Sequence, residues 1–352
     1  MRNFLKNTKY KDIFAGLLTV FTTLFAVAGA FAGKVNPEHS PMWIFAGLLL
    51  PASVFTSLLL VIYWAVRKNL LFLIPLAAII LNYNPILSNF QIRIPGKYKL
   101  YSDEEIIKVL SYNIHEFQYG NMQTSTGYIS GFVGEEKADI ACFQEFDVNG
   151  QLHMGELAGF FDFLPYYAVA ESDENQIGMA IFSKYPVLRW EKVNFENTGN
   201  GILWADILIS ENKTVRVINA HLQTTSLNRW GNLTFGEKIQ KMKSNAAFRA
   251  QQARKIIDIT DTTLTPVIIC GDFNDTPSSY TYSSISQKKF TDGFREAGSG
   301  IGGTFRGFAG LGKFVRIDYI LHSRDFRSIR YKSPNLEWSD HKPVISELVY
   351  QN

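Results

Sequence analysis

Residues 265–277 read TPVIICGDFNDTP, and the rest of the chain is organised around them. Pro266 opens a short apolar run, 267–270, with the length and β-branched bias of a fully buried strand. Gly271, Asp272, Phe273, Asn274 and Asp275 follow at once, the residue types that turn a chain sharply at a strand end. In extended geometry Asp272 and Asn274 share one face while Phe273 points into the core. A carboxylate and an amide held together on a rigid edge suit a metal-bound oxyanion such as phosphate. The plainer alternative for this pentapeptide is an Asx turn.

Outward from this point the chain divides by composition. Up to residue 90 there are seven Lys/Arg and two acids, a balance of +5; the whole chain carries +3, so residues 91–352 carry −2. A slightly acidic unit is poorly suited to sequence-independent DNA binding, which draws on many Lys/Arg–phosphate contacts. The two cysteines, Cys142 and Cys270, each lie inside an apolar strand-like run and read as buried free thiols.

Residues 13–32 and 42–66 are each long and apolar enough to cross a bilayer as a helix, with Pro51 a candidate kink in the second. A third candidate span, 70–90, is interrupted by Asn82, Asn84 and Pro85. A signal peptide is the alternative for the first span, with Ala30-Phe31-Ala32 resembling a cleavage site, although the apolar stretch is long for one. Arg2, Lys6, Lys9 and Lys11 precede the first span and Arg67 and Lys68 follow the second, whereas the connection between them has only Lys34. The positive-inside rule then puts the N-terminus in the cytoplasm and, after three spans, residues from 91 onward outside. Arg93, Lys97 and Lys99 pull the other way. The expected organisation is an anchor over 1–90, a linker over 91–104 and a catalytic domain over 105–352.

From residue 105 strands alternate with loops and a few helices. Strands are expected over 106–114, 139–143, 177–183, 202–209, 215–220, 315–321 and 344–350, and a short helix over 127–136. The clearest helix carries Phe235, Ile239, Met242, Ala246, Ala250, Ala253 and Ile257 at steps of three or four. Its other faces hold Lys238, Lys241, Lys243, Arg249, Arg254 and Lys255, by default a solvated basic surface and otherwise one facing phosphate or membrane.

Strand after strand ends in a polar residue able to hold a metal or a phosphate: Asn113, Glu145, His221, Asp272 with Asn274, and Asp340 with His341. Any one alone is more often structural. Asp318, midway along an apolar run, needs a partner because burying an unpaired carboxylate costs several kcal/mol. His341 is the candidate partner.

The ordered set SYNIH, FQE, GMAIFSK, NAHL, GDFN, RIDYIL and SDH resembles the endonuclease/exonuclease/phosphatase superfamily over about residues 106–350. That group includes pancreatic-type deoxyribonuclease, abasic-site endonucleases, inositol-polyphosphate phosphatases and bacterial sphingomyelinases. The resemblance implies an α/β four-layer sandwich, two mostly antiparallel sheets face to face with helices outside. It implies Mg²⁺, with Mn²⁺ as a substitute, at Asn113, Glu145 and Asp340, Glu145 being the direct ligand. It implies that His221 contacts phosphate, Asp272 orients or deprotonates the attacking water, and Asn274 binds phosphoryl oxygens. His341 becomes the catalytic histidine and Asp318 its orienting partner.

The function expected is therefore a membrane-tethered, Mg²⁺-dependent phosphoester hydrolase, multi-pass, with its catalytic domain outside the cytoplasm. An endonuclease-type phosphodiesterase is the first expectation, and its −2 charge weighs against it. A lipid-headgroup phosphodiesterase or phosphatase, favoured by the tether, is the alternative. A catalytically inactive scaffold is a third, disfavoured because it has no use for Asp272, Asp318 and His341 together. Specificity is expected in the loops 146–175, 223–234 and 298–312, with Arg229 and Trp230 available to either substrate.

Overall fold

The computed structural model describes residues 2–93, 105–118, 124–147, 154–225, 233–286, 289–307 and 314–351. Most of the expected linker, Arg229, Trp230 and residues 308–312 of the glycine-rich loop lie outside them. The chain begins with the helices α1 (Arg2–Ala32), α2 (Trp43–Val66), α3 (Leu73–Leu81) and α4 (Tyr83–Asn89), then a two-residue strand β1 (Phe90–Gln91). The region expected to be catalytic follows as β2 (Ile106–Asn113), α5 (Thr126–Glu135), β3 (Ile140–Gln144), α6 (Met154–Gly159), β4 (Tyr166–Ala170) and β5 (Met179–Ser183). Next come β6 (Val187–Asn194), β7 (Gly201–Ser210), β8 (Lys213–His221), α7 (Phe235–Asp261), β9 (Val267–Asp272) and α8 (Tyr280–Ser286). The chain closes with β10 (Phe290–Asp292), α9 (Gly293–Ala297), β11 (Gly300–Ile301), β12 (Asp318–Ser323), β13 (Phe326–Lys332) and β14 (Val344–Tyr350).

Two six-stranded sheets form, in the orders β10-β12-β9-β8-β7-β6 and β13-β14-β2-β3-β5-β4. Only β2–β3 and β8–β9 pair in parallel within them. The alternation of side chains along a strand sends each strand's residues to two different cores. Ile107, Val109 and Cys142 from one sheet meet Val217, Ile268 and Cys270 from the other between the layers. Leu110, Tyr112 and Phe143 pack outward beneath α5 and α6, and Ile218, Ile269 and Tyr319 beneath α7 and α8. The result is the four-layer α/β sandwich expected. Both cysteines are free thiols inside the central layer.

Among the described residues, two helices are long and apolar enough to cross a membrane, Lys9–Ala32 and Trp43–Val66, the second continuing through Pro51. The third span expected over 70–90 is a bent pair of shorter helices, not one continuous helix like the other two. A 3₁₀ turn at Leu70–Phe72 leads into α3, and α3 and α4 are bent by 61°. The break lies where Asn82 turns its amide onto the carbonyls of Ala26 (2.8 Å) and Ala78 (2.9 Å). Pro85, lacking an N–H, cannot bond back across that break. Phe72 packs with Ala15, Leu60 and Trp64, whereas Ala78 packs with Ala26 and Leu50. The broken segment thus returns the chain along the helix pair from the Arg67 end toward the Ala32 end.

At that end the helices are fixed to the sandwich. Glu38, in the α1–α2 connection, accepts from Arg254 of α7 (2.5 and 3.0 Å) and from Gln251 (2.8 Å). Arg316, fully buried, donates to Asp292 (2.6 and 2.8 Å) and to the carbonyl of Ser88 (2.7 Å). Gly47 of α2 lies so close to the domain that a Cβ there would stand 3.2 Å from the Ser278 carbonyl oxygen.

The apolar stripe of α7 departs from expectation in its first turns, where Phe235 is 80% exposed and only from Asn245 onward is the inner face buried. Its basic surface needs a correction as well. Arg249, expected in solvent, is buried against Asp275 (3.0 Å), the Gln223 carbonyl (2.9 Å) and Thr225 (2.8 Å). A guanidinium can be buried when its donors are met in this way.

Candidate active site

Register builds the floor of the site. Asp318 pairs with Asp272 across β12 and β9, and Asp272 pairs with His221 across β9 and β8. Three polar residues on three neighbouring strands therefore stand side by side on the face turned toward the other sheet, where β2 ends at Asn113. Gly271 makes this register possible. Its φ of +130° is open to glycine, and a Cβ there would lie 1.9 Å from the Ala220 carbonyl oxygen. Beneath the floor Gln144 donates to Asn219 (2.6 Å), which itself donates to the carbonyls of Phe143 (2.8 Å) and Ala180 (3.1 Å). This polar bridge between the sheets was not expected, because nothing local marks a polar letter inside a strand as a cross-sheet partner.

The motif residues behave in different ways at their strand ends. Phe273 is buried against Tyr319, as the alternation requires, but extended geometry stops there: Asn274 has φ +51°. The Asn274 N–H donates to Asp272 (2.8 Å), an Asx turn, and its side-chain amide donates to Asp272 (3.0 Å) and to the Leu222 carbonyl (3.0 Å). Asp318 is the first residue of its strand rather than its middle, because the Ile317 and Asp318 N–H groups donate to Thr304 Oγ1 (3.1 and 3.2 Å). Glu145 follows β3 with φ +53°, a left-handed turn that breaks the alternation and brings its carboxylate to Asn113 (3.0 Å). Asn113 also donates to Asp272 (3.1 Å).

The residues 339–341 are held from two sides. Ser339 donates to the Asn113 carbonyl (2.7 Å) and accepts from the His341 N–H (3.1 Å). Arg306 N–H donates to the Asp340 carbonyl and Lys342 N–H to that of Thr304, both at 2.7 Å. Asp340 faces His115, whose Nδ1 lies 3.3 Å from Asp340 and 3.6 Å from Glu145. His115, Glu116 and Phe117 all have positive φ, so the chain after β2 curls tightly enough to bring the imidazole back over the site. His115 closes the SYNIH motif but is not among the site residues expected from it. The only signal for it was its place two residues beyond Asn113.

His341 Nδ1 sits 3.1 and 3.0 Å from the two oxygens of Asp318, and its Nε2 faces Asp272 at 3.6 Å. Burial pushes the imidazole down, but the charges of Asp318 and Asp272 outweigh it and hold His341 well above the usual histidine range. Burial, with the neighbouring Asp318 charge, pushes Asp272 up to about 7 against the pull of His341. Asp340 goes the other way: burial would raise it, and the His115 hydrogen bond with the charges of His341 and His115 draws it down to about 2. The hydrogen bond to Asp340 in turn raises His115. His221, buried, has Nε2 3.7 Å from Glu145 and 3.8 Å from Asp272. All eight residues expected at the site thus converge, and a cavity of about 240 Å³ opens over six of them, Glu145, His221, Asp272, Asn274, Asp340 and His341.

Two groups could be asked to hold a cation. Asp272, Asp318 and His341 offer ligand atoms within 4.8 Å of one another, all buried. Both Asp318 oxygens are engaged by His341, however, and Asp272 already accepts from Asn113 and twice from Asn274. Glu145 and Asp340 fit better. Both are partly exposed carboxylates within 3.6 Å of one imidazole nitrogen, with the Asn113 amide beside them. Oxygen donors from one or two carboxylates, leaving room for water, are what Mg²⁺ takes.

Residues 110–341 match the family model of the Endonuclease/Exonuclease/phosphatase family, and residues 11–89 match that of a domain of unknown function. No curated protein sequence matches the chain. Among solved structures, an endonuclease/exonuclease/phosphatase from Beutenbergia cavernae is similar with TM-score 0.54, at 18% identity over 70% of this chain and 72% of that one. A protein of the same family from Bacteroides thetaiotaomicron gives TM-score 0.51 and 18% identity over 71% and 96%. A mannosyl-6-phosphatase of Bacteroides thetaiotaomicron gives 0.50 and 20% over 69% and 100%. At such identity the likeness to these structures concerns the fold. The family match spans most of the chain and ends on His341 itself, and the chain belongs to the Endonuclease/Exonuclease/phosphatase family.

Proposed function

We propose that the chain is a membrane-tethered hydrolase of phosphoester bonds that depends on a divalent cation, Mg²⁺ or Mn²⁺. The observation that carries this reading is the in-register row His221–Asp272–Asp318 facing Glu145, Asp340 and His341 across one cavity. Glu145, Asp340 and Asn113 would hold the cation, which supplies charge stabilisation for the phosphoryl oxygens. Asp272, its basicity raised to about 7, takes a proton from the attacking water at neutral pH. His341, kept protonated by Asp318, presents Nε2–H to the phosphoryl group as negative charge grows there. His221 stands between Glu145 and Asp272 as a second donor to phosphate. Asn274, whose amide hydrogens are used on Asp272 and Leu222, positions the base. An inactive scaffold has no need to bury this charged set at a cost of several kcal/mol.

The tether sets the side of action. Glu38 and Ser88 both bond to the catalytic region, so that region shares a side with the α1–α2 connection. Lys9, Lys11, Arg67 and Lys68 lie at the opposite end of the helices. With basic ends in the cytoplasm, the catalytic region is extracytoplasmic.

The test is hydrolysis of bis(p-nitrophenyl) phosphate by the full chain in nanodiscs. Turnover with Mg²⁺ or Mn²⁺, lost in EDTA and restored by added metal, supports the reading. Full turnover in excess chelator, or none with any divalent ion, overturns it.

A further inference from the structure

We propose that the substrate's phosphoester belongs to a membrane phospholipid, and that the first two turns of α2 form the wall along which its hydrocarbon lies. The proposal rests on the phosphoester-hydrolase reading and names its substrate class. The cavity that exposes Glu145, Asp272 and His341 is closed on one side by Ile44 and Leu48 of α2 and by Met242 of α7. Ile44 and Leu48 are four residues apart, one above the other on a single helix face. Their helix is itself a candidate span of 24 residues. At 1.5 Å per residue such a helix is about 36 Å long, a little more than the ~30 Å hydrocarbon layer. Its first two turns therefore stand at the boundary between headgroups and acyl chains. Leu48 is 40% exposed, so the wall continues from the cavity to the lipid-facing surface of the helix.

This wall is fastened to the catalytic region. Gly47, between the two lining residues, abuts the Ser278 backbone, and Glu38 ties the preceding loop to α7. The first turns of α7 continue the same surface. Phe235 is left 80% exposed by the protein, Ile239 and Met242 are half-buried, and Lys238, Lys241 and Lys243 stand among them. An apolar edge interleaved with lysines matches the surface of a bilayer containing anionic lipid. Nucleic acid fits the same walls poorly. Although Phe305 lines the cavity and Phe235 is exposed nearby, the α2 wall of Ile44 and Leu48 offers no ring for a base to stack on, and residues 91–352 carry a net −2. In the reaction the water oxygen bonds to phosphorus as one P–O ester bond breaks. Asp272 takes the water's proton, and the leaving oxygen departs as the alcohol after gaining a proton from His341 or solvent.

The experiment presents the full chain, with Mg²⁺, with vesicles of phosphatidylcholine and phosphatidylglycerol, with bis(p-nitrophenyl) phosphate and with plasmid DNA. Phospholipid should be hydrolysed, and turnover of soluble short-chain phospholipids should rise with acyl length. Ile44→Ser and Leu48→Ser should each lower the ratio of phospholipid to soluble-diester turnover by about tenfold, the scale of a lost apolar contact. Phe55→Ser, on the same helix and outside the cavity lining, should leave that ratio as it was. Hydrolysis of the soluble diester or of DNA with phospholipid left intact overturns the lipid assignment and leaves the hydrolase standing. A rate independent of acyl length, with the ratio unmoved in both α2 variants, does the same. No hydrolysis of any phosphoester overturns both.

Discussion

His341 Nδ1 lies within 3.1 Å of both carboxylate oxygens of Asp318, and both residues are withdrawn from water. A buried carboxylate so placed fixes the tautomer and favours the imidazolium. Asp318→Asn keeps the shape and removes the charge. The rate should fall by about two to four orders of magnitude. With its pKa no longer held up, His341 loses its proton at lower pH, so the alkaline limb of the rate profile should move toward neutrality. Asp318→Asn with His341→Ala should be little worse than His341→Ala alone, since the pair acts as a unit. Losses that simply multiply would make the pair structural.

As the proposed base, Asp272 should set the other limb. A base must be deprotonated to act, and burial beside Asp318 has raised this carboxyl to about 7. Activity should therefore rise with pH through about 7 rather than near 4, the usual carboxylate range. Asp272→Asn should lower turnover by about a thousandfold and abolish that limb. An acid limb that survives the substitution would assign it to another group.

Glu145→Ala removes the carboxylate that Asn113 and His115 both face. Calorimetric Mg²⁺ binding should weaken at least tenfold, and turnover should fall to background at any Mg²⁺ concentration. Unaltered metal affinity would shift the cation to the Asp272–Asp318–His341 group.

How much of this was legible depended on whether the cause was local. Asp272, Asn274 and His221 announce themselves because each ends an apolar run, where a polar residue has no packing role. Asp318 was legible as an anomaly, a carboxylate in apolar company, and His341 answered it. Glu145 was legible by position, although alternation alone would have turned it to the wrong face. His115 was not, since the three left-handed residues that bring it back leave no pattern. Arg249 was misread because helical periodicity gives an angle around the helix and not what covers it; Asp275 lies beyond that information. The third span was legible only in part, as a run with interruptions and not as a bent pair of helices. Asn82 and Pro85 were seen as interruptions, but the 61° bend depends on the Ala26 carbonyl, 56 residues away. Ile44 and Leu48 read only as membrane helix, because nothing in their own stretch shows that a catalytic cavity abuts them.

Gly271 is the position where folding and site cannot be separated. A Cβ 1.9 Å from the Ala220 carbonyl oxygen can be relieved only by moving β8 and β9 apart, which also misplaces His221 against Asp272. Gly271→Ala should destabilise the protein by at least about 3 kcal/mol, combining the clash with an unfavourable positive φ. Thermal melting checks this. A melting temperature within a degree or two of the parent would show that the strands separate without cost.

The Glu38–Arg254 pair makes topology testable without assuming a span count. Both terminal nitrogens of Arg254 reach Glu38 in the α1–α2 connection, so in the proposed membrane arrangement residues near 38 and residues near 254 lie on one side of the bilayer. Arg67 and Asp12, paired at the far end of the same helices, must be on the other. Lys9, Lys11, Arg67 and Lys68 gather at that far end, which the proposed topology puts in the cytoplasm. Single cysteines introduced at Ser40 and Lys255 should therefore react together with a membrane-impermeant maleimide on intact cells, and one at Asn69 only after permeabilisation. The native Cys142 and Cys270 are buried and should stay silent in both conditions. Labelling of Ser40 without Lys255 would mean that α3 and α4 do not carry the chain back. Labelling of Asn69 alone on intact cells would invert the whole arrangement.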